Sequence, residues 1–193
     1  MGCISTRIFA RKCKLYQIDY KEYKNFLVNN HLQGSIVGKY GYGLFYDNEL
    51  VSLMTFGKLR KNLGQAAKDG SYELLRFCNK RDTVVIGAAS KLFQHFLREN
   101  SPELIITYAD RRWTQSSNNV YLQIGLNYVS TSQPSYFYVI DEKRENRFKH
   151  RKNVLIEQGY DGNKTEHQIM LDRDIYRIYD CGCLKYERRC CDE

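Results

Sequence analysis

Two stretches of this chain repeat apolar residues at helical spacing, and their contrast with the short runs around them limits the folds open to it. Tyr23, Phe26 and Leu27 stand at i, i+3 and i+4 behind Asp19, a residue suited to N-capping, and predict a helix from Tyr20 to about Asn30. Leu92, Phe93, Phe96 and Leu97 mark a second helix in the same way. Most other apolar runs are short and β-like: Lys14–Ile18, Tyr42–Tyr46, Leu50–Phe56, Tyr72–Cys78, Leu104–Tyr108, and the pair 127–130 with 135–140, while Val84–Ala89 leads into the second helix through a turn at Gly87. Asp47-Asn48-Glu49 tolerates turn geometry and predicts a hairpin, whereas Leu59–Gly70 is polar and reads as a loop. Val120, Tyr121 and Ile124 predict a short helix that Gly125 can end. Further on, residues 144–158 and 165–172 read as helices and Ile175–Tyr179 with Leu184–Glu187 as a closing hairpin. The expected class is α/β, with a mixed, mostly antiparallel central sheet flanked by helices over residues 1–140. A small C-terminal α-α-β-hairpin extension over 141–193 is expected to pack on it.

Composition narrows the function. With 16 Tyr, 9 Phe and 2 Pro in 193 residues, the chain can bury enough apolar surface to fold. No apolar run reaches the roughly 20 residues needed to cross a bilayer, and the N-terminus lacks the apolar stretch of a signal peptide, so a cytoplasmic protein is expected. Gly2 with Thr6 fits a myristoylation start, without a second anchor beside it. The seven cysteines, Cys3, Cys13, Cys78, Cys181, Cys183, Cys190 and Cys191, are an odd, irregular set that suits reduced thiols. The last four are crowded enough to raise zinc, but they do not form two CxxC knuckles, and no metal is expected.

The 30 Lys and Arg exceed the 22 Asp and Glu by 8. Residues 141–193 hold 12 basic and 12 acidic side chains, so the excess belongs to residues 1–140. One local cluster, Lys143, Arg144, Arg147, Lys149, Arg151 and Lys152, stands apart from that division. A positive field on a folded surface attracts phosphate, of nucleic acid or of a nucleotide cofactor, although solvated surface charge is the alternative.

Two segments carry candidate chemistry. Val85, Ile86, Gly87, Ala88, Ala89, Ser90 and Lys91 lead from a strand into a helix through small residues. Such an entry lets a phosphate approach free backbone N–H groups, with a hydroxyl and an ammonium at the same end, although close packing on a sheet also favours small residues. The second runs from Tyr108-Ala109-Asp110-Arg111-Arg112-Trp113 to Asn119-Val120-Tyr121 and Gly125. Asp110 ends an apolar strand, where open sheets bind ligands, and Arg111, Arg112 and Trp113 combine cations with a stacking ring.

The Asn119–Tyr121–Gly125 pattern resembles the last motif of the GNAT acyltransferase superfamily, and the Gly87 turn sits where that superfamily binds the acyl-CoA pyrophosphate. The element order from Lys14 to Ile140 resembles a GNAT domain as well. Tyr72-Glu-Leu-Leu-Arg76-Phe-Cys, Ala89-Ser-Lys-Leu92 and Tyr108-Ala-Asp110-Arg are similar to the Mom-like branch, phage enzymes that modify adenine in DNA. Phe148-Lys-x-Arg-Lys and Arg177-Ile-Tyr-Asp-Cys-Gly182 are similar to segments of phage Hef-type homing endonuclease proteins.

These resemblances imply an acyl-CoA-dependent transferase that uses acetyl-CoA or a related ester on a nucleobase in DNA, acting in a phage host's cytoplasm against restriction. They leave open a silent GNAT-fold DNA-binding module, or an N-acetyltransferase of a small molecule or protein. Tyr121 is implied as the acid that protonates the departing thiolate, Asp110 as a base or orienting group, His31 as a residue bordering the acceptor site, and Ser90 as a phosphate or active-site hydroxyl. Residues 85–91 with Asn119 are implied to hold the cofactor. Arg111, Arg112, Trp113 and the cluster Arg144, Arg147, Lys149, Arg151 and Lys152 are the candidate nucleic-acid contacts. The superfamily loop reads Gln/Arg-x-x-Gly-x-Gly/Ala, and this chain has Val84 in its first place.

Overall fold

The structure is a computed structural model and describes residues 4–59 and 68–190. The readings placed on Gly2, Cys3 and Cys191, and most of the loop after Leu59, lie outside the described residues. The chain forms two compact units: residues 1–109, 114–130 and 184–193, and residues 110–113 with 131–183.

The first unit is built on a seven-stranded sheet. Its strands are β2 (Lys14–Gln17), β3 (Tyr40–Tyr46), β4 (Glu49–Lys58), β5 (Ser71–Asn79), β7 (Leu104–Asp110), β8 (Asn127–Thr131) and β12 (Cys183–Arg189). Their order is β2-β3-β4-β5-β7-β12-β8, with β2 to β5 antiparallel and β5 parallel to β7. Asp47 and Asn48 take positive φ in the β3–β4 turn, as a tight hairpin requires. Helix α2 (Ala88–Asn100) lays Leu92, Phe93 and Phe96 into the main core with Tyr42, Phe56, Leu74 and Ile105, and Phe56 and Phe96 stack at 3.6 Å. Helix α1 (Tyr20–Asn30), capped by the Asp19 carboxylate, packs Tyr23 and Leu27 with Leu53 in a separate cluster.

The sheet opens between β5 and β7. Their ladder runs from Ser71–Leu104 to Glu73–Ile106, and among the described residues no rung follows, although β5 continues to Asn79 and β7 to Asp110. The cause is visible in β5. Thr55 pairs with Arg76 and Phe56 with Leu74, so Leu75 is an extra residue. Such a bulge bends and twists its strand. Leu75 is buried against Gly57, where a Cβ would stand 2.7 Å from its Cδ1. Just beyond the last rung, the buried Thr107 hydroxyl donates to Leu74 O at 3.0 Å.

A short strand, β1 (Thr6–Phe9), pairs in parallel with β6 (Thr83–Ile86), from Thr6–Thr83 to Phe9–Ile86. It is followed by a 3-10 turn, Ala10–Lys12. No periodicity in the first fourteen residues marks this pairing.

The second unit departs from expectation. Asp141 and Glu142 form a two-residue turn at positive φ, and β9 (Tyr136–Ile140) and β10 (Lys143–Asn146) make a hairpin where the sequence suggests a helix from Arg144. β11 (Arg177–Tyr179) pairs on the other side of β9. Among the described residues, the pairing expected between 127–130 and 135–140 is therefore absent, as is the closing hairpin. Instead β12 lies between β7 and β8 in the large sheet, so residues 131–183 form an insertion between its last two strands, not a C-terminal extension. Tyr138, Leu155, Ile169 and Met170 form this unit's core under helices α4 (Lys152–Glu157) and α5 (Glu166–Leu171). Tyr136 and Tyr138 each donate to Glu166 Oε1 at 2.7 Å, and burial with this bond pushes the Tyr138 phenol up to about 12.

Candidate functional site

Gly87 makes the entry to α2. It sits at φ 81°, a left-handed position favouring glycine, and α2 has no side-chain cap. The N–H groups of the first helical turn are thus uncapped by any side chain, at the positive end of a helix long enough to carry a dipole. A cleft of about 590 Å³ opens there, lined by Phe9, Ala10, Arg11, Ile86, Gly87, Ser90, Lys91, Gln94 and Arg98. Ser90, Lys91, Gln94 and Arg98 follow helical spacing, so the cleft runs along one polar stripe of α2, away from Leu92, Phe93 and Phe96.

Ile86, Gly87, Ser90 and Lys91 are therefore brought together in one cleft. Val85 and Ala88 are buried in the main core, and Ala89 packs against it, so the side chains of these three are not among those lining the cleft. Lys91 has a structural role. Its ammonium donates to Ala10 O at 2.9 Å and Cys13 O at 2.7 Å, which ties the N-terminal turn to α2. Phe9, Arg11, Gln94 and Arg98 belong to no motif that marks them in the sequence. Helical spacing makes the polar stripe on α2 legible, whereas the N-terminal residues reach the cleft only through a pairing some seventy-seven positions apart, Thr6 with Thr83.

Asn119 is the N-cap of helix α3 (Val120–Gln123), its Oδ1 accepting from Tyr121 N and Leu122 N. Its amide donates to Gln115 O and to the Tyr186 hydroxyl, both at 2.8 Å. All its polar side-chain atoms are thus engaged within the protein. Its contribution is to fix Tyr121, which is half-buried against the main core and stacks on Tyr186 at 5.4 Å.

His31 closes α1 and is half-buried. Burial first, and the Arg76 charge second, lower its imidazole to about 4, so it is neutral near pH 7. Its Nδ1 accepts from Gln33 N at 3.1 Å, which leaves the proton on Nε2, and it presents a donor rather than a base. Arg76 holds the same loop through Gly34 O. Glu73, which the sequence marks only as a polar interruption of its strand, is a carboxylate with 1% exposure at the last rung of β5 and β7.

In the second unit, Asp110 is gripped by Arg112. Arg112 N and Nε donate to Oδ1 at 2.9 and 3.0 Å, and Nη2 donates to Oδ2 at 2.5 Å. Arg111 Nη1 donates to Cys181 O at 3.1 Å, and Trp113 is exposed. The cations of the insertion lie over rings: Arg144 over Phe137 at 4.4 Å, Arg147 over Tyr136 at 5.1 Å and Arg151 over Phe148 at 4.3 Å. Lys149 pairs with Glu145 at 3.4 Å. Among the described residues no group of three or more His, Cys, Asp or Glu is arranged to hold a metal ion, and no helix is long and apolar enough to cross a membrane.

No family model and no curated protein sequence matches this chain. Solved structures do. The ribosomal-protein-S18-alanine N-acetyltransferase of Escherichia coli aligns with 92% of this chain and 94% of its own at 9% identity, with a TM-score of 0.53. A Salmonella typhimurium structure with its cofactor acetyl-CoA aligns over 94% and 96% at 8% identity, TM-score 0.51. An Arabidopsis thaliana protein in complex with the bisubstrate analogue CoA-Ac-MVNAL aligns over 92% and 98% at 11% identity, TM-score 0.50. The mixed α/β architecture, with its large, mostly antiparallel sheet flanked by helices, is the GNAT fold.

Proposed function

We propose that this chain is an acyl-CoA-dependent transferase, with acetyl-CoA or a related ester as its cofactor. The observation that carries the reading is the pairing of an opened β5–β7 ladder with an uncapped, left-handed glycine entry to α2 beside a cleft. The residues present fit the cofactor's diphosphate: a helix start with no side-chain cap, no side chain at Gly87, and Arg11 in the lining beside it. When bound, the cofactor supplies an activated acyl group on sulfur. Tyr121 would hold a proton at Oη for the departing thiolate, and its N-capped helix and its stacking on Tyr186 fix the ring. Ser90 would donate to a phosphate oxygen from the cleft wall. His31, neutral with a proton on Nε2, would orient an acceptor by donating to it.

The acceptor we favour is a nucleobase in DNA, in the manner of the Mom-like branch. Support comes from the insertion, the accessory element of this reading, where guanidinium groups over aromatic rings combine phosphate contact with stacking surface. A base inside a duplex would have to be extruded to react. The ion pair of Asp110 with Arg112 suits that carboxylate to orienting the acceptor in preference to proton abstraction. A second reading, N-acetyl transfer to a small molecule or protein, has its own support in the structural neighbours, one of which acts on a ribosomal protein. Mass spectrometry of nucleosides from cells expressing the chain, against cells expressing Tyr121→Phe, separates them. A modified nucleoside that disappears with the variant supports the DNA acceptor. Unmodified nucleosides together with an acylated amine or protein would replace it by the second reading.

A further inference from the structure

We infer that Arg11, carried on the N-terminal strand and turn, supplies the cofactor-diphosphate contact that Val84 cannot make. This deepens the acyl-CoA reading and rests on it. At the first place of the phosphate-loop pattern the chain has an aliphatic side chain, and the structure places that residue in β6, paired with Arg7 of β1. The same parallel pairing leads the N-terminal segment past the loop. Phe9 stands opposite Ile86, and the chain then turns through Ala10–Lys12 at the cleft wall. Ala10 is so close to the loop that a Cβ on Gly87 would lie 3.8 Å from its own.

Three restraints hold Arg11 there. The β1–β6 ladder precedes it, and the Lys91 ammonium binds the carbonyls of Ala10 and Cys13, one on each side of it in sequence. The Arg11 guanidinium lies 5.1 Å from the Phe9 ring centre while remaining exposed. Because Lys91 is turned to those carbonyls, Arg11 is the lining cation at the N-terminal end of the cleft whose donor fork is directed to no protein acceptor among the described residues. Arg98 lies about three helical turns along α2, roughly 16 Å away, too far to serve the same phosphate group. A guanidinium presents two parallel N–H donors that match two phosphate oxygens, so Arg11 replaces in space what the loop lacks in sequence.

The test is calorimetric titration of CoA and of 3′-dephospho-CoA, which keeps the diphosphate but lacks the 3′-phosphate, into the wild type, Arg11→Gln and Arg98→Gln. Arg11→Gln is expected to weaken both nucleotides by the same factor, about tenfold, as for loss of one charged hydrogen bond. Arg98→Gln is expected to leave 3′-dephospho-CoA affinity unchanged. Equal affinities for Arg11→Gln and wild type would overturn the inference, as would a loss confined to CoA, which would move Arg11 to the 3′-phosphate. An equal loss in Arg98→Gln with 3′-dephospho-CoA would also overturn it, by showing a diffuse charge effect. No binding of either nucleotide by the wild type would instead remove the acyl-CoA reading beneath it.

Discussion

Replacing Lys91 with Met should release the N-terminal turn from α2 while leaving the sheet intact. Its ammonium donates to Ala10 O at 2.9 Å and to Cys13 O at 2.7 Å, both half-buried bonds. Hydrogen bonds to charged groups contribute about 1.5–3 kcal/mol each, but Ala10 and Cys13 stay anchored in the main core and their carbonyls regain water on local opening, so about 2 kcal/mol is expected in total. Met keeps most of the aliphatic stem, so packing loss is small. The segment is short and pairs only through β1 with β6, so it should open before the seven-stranded sheet unfolds. A loss of about 2 kcal/mol in local opening corresponds to roughly thirtyfold faster amide exchange. Native-state hydrogen exchange can read it at Cys13, whose amide donates to Ala10 O at 3.0 Å, and along β1. Amides of β4 act as the internal reference and should not change. Exchange at Cys13 within about threefold of wild type would show that the lysine does not hold the turn, and with it the restraint on Arg11 would fail.

Tyr121→Phe should lower turnover by about 10²–10⁴-fold with CoA affinity nearly unchanged, as single-turnover kinetics beside calorimetry will show. His31 should titrate near 4 by NMR. Because the unfolded chain takes up that proton first, its contribution is present above pH 6.5 and lost as pH falls from 6.5 towards 4, a slope that His31→Gln should flatten in urea unfolding curves. Replacing Arg144, Arg147 and Arg151 together by Gln should weaken DNA binding alike for all sequences and reduce the salt slope by up to about 0.9 log unit per lost contact; an unchanged slope would make them solvated surface.

Helix α1, helix α2, the β3–β4 hairpin and the apolar β7 were legible because each carries its own periodicity or turn chemistry. The order of elements from Lys14 to Tyr121, apart from β6, followed from them. What escaped depends on partners distant in sequence. β10 reads Lys-Arg-Glu-Asn, with no apolar face to announce a strand, and forms because the Asp141-Glu142 turn folds it back on β9. β12 has buried Leu184 and Tyr186 whichever sheet it joins, so alternation alone could not choose between β11 and β7. Likewise the phosphate-loop glycine was readable, whereas Arg11 beside it was not, because only the β1–β6 pairing brings it there. Asn119 shows the converse: a residue legible as part of a motif turned out to act as a cap.

The central claim, that the Gly87 entry to α2 is an acyl-CoA site, is tested most directly by titrating acetyl-CoA into the wild type and into Gly87→Glu. Gly87 is exposed at φ 81°, and among the described residues only Ala10 Cβ would lie within 4 Å of a Cβ there, so the new side chain has room, at the cost of the backbone strain an L residue takes at this φ, and brings negative charge to the place proposed for a diphosphate. The wild type should bind with a saturable heat well below millimolar concentration, and Gly87→Glu should show none while keeping its circular dichroism spectrum. A wild type silent at millimolar acetyl-CoA, or a Gly87→Glu protein that binds as tightly as the wild type, would contradict it.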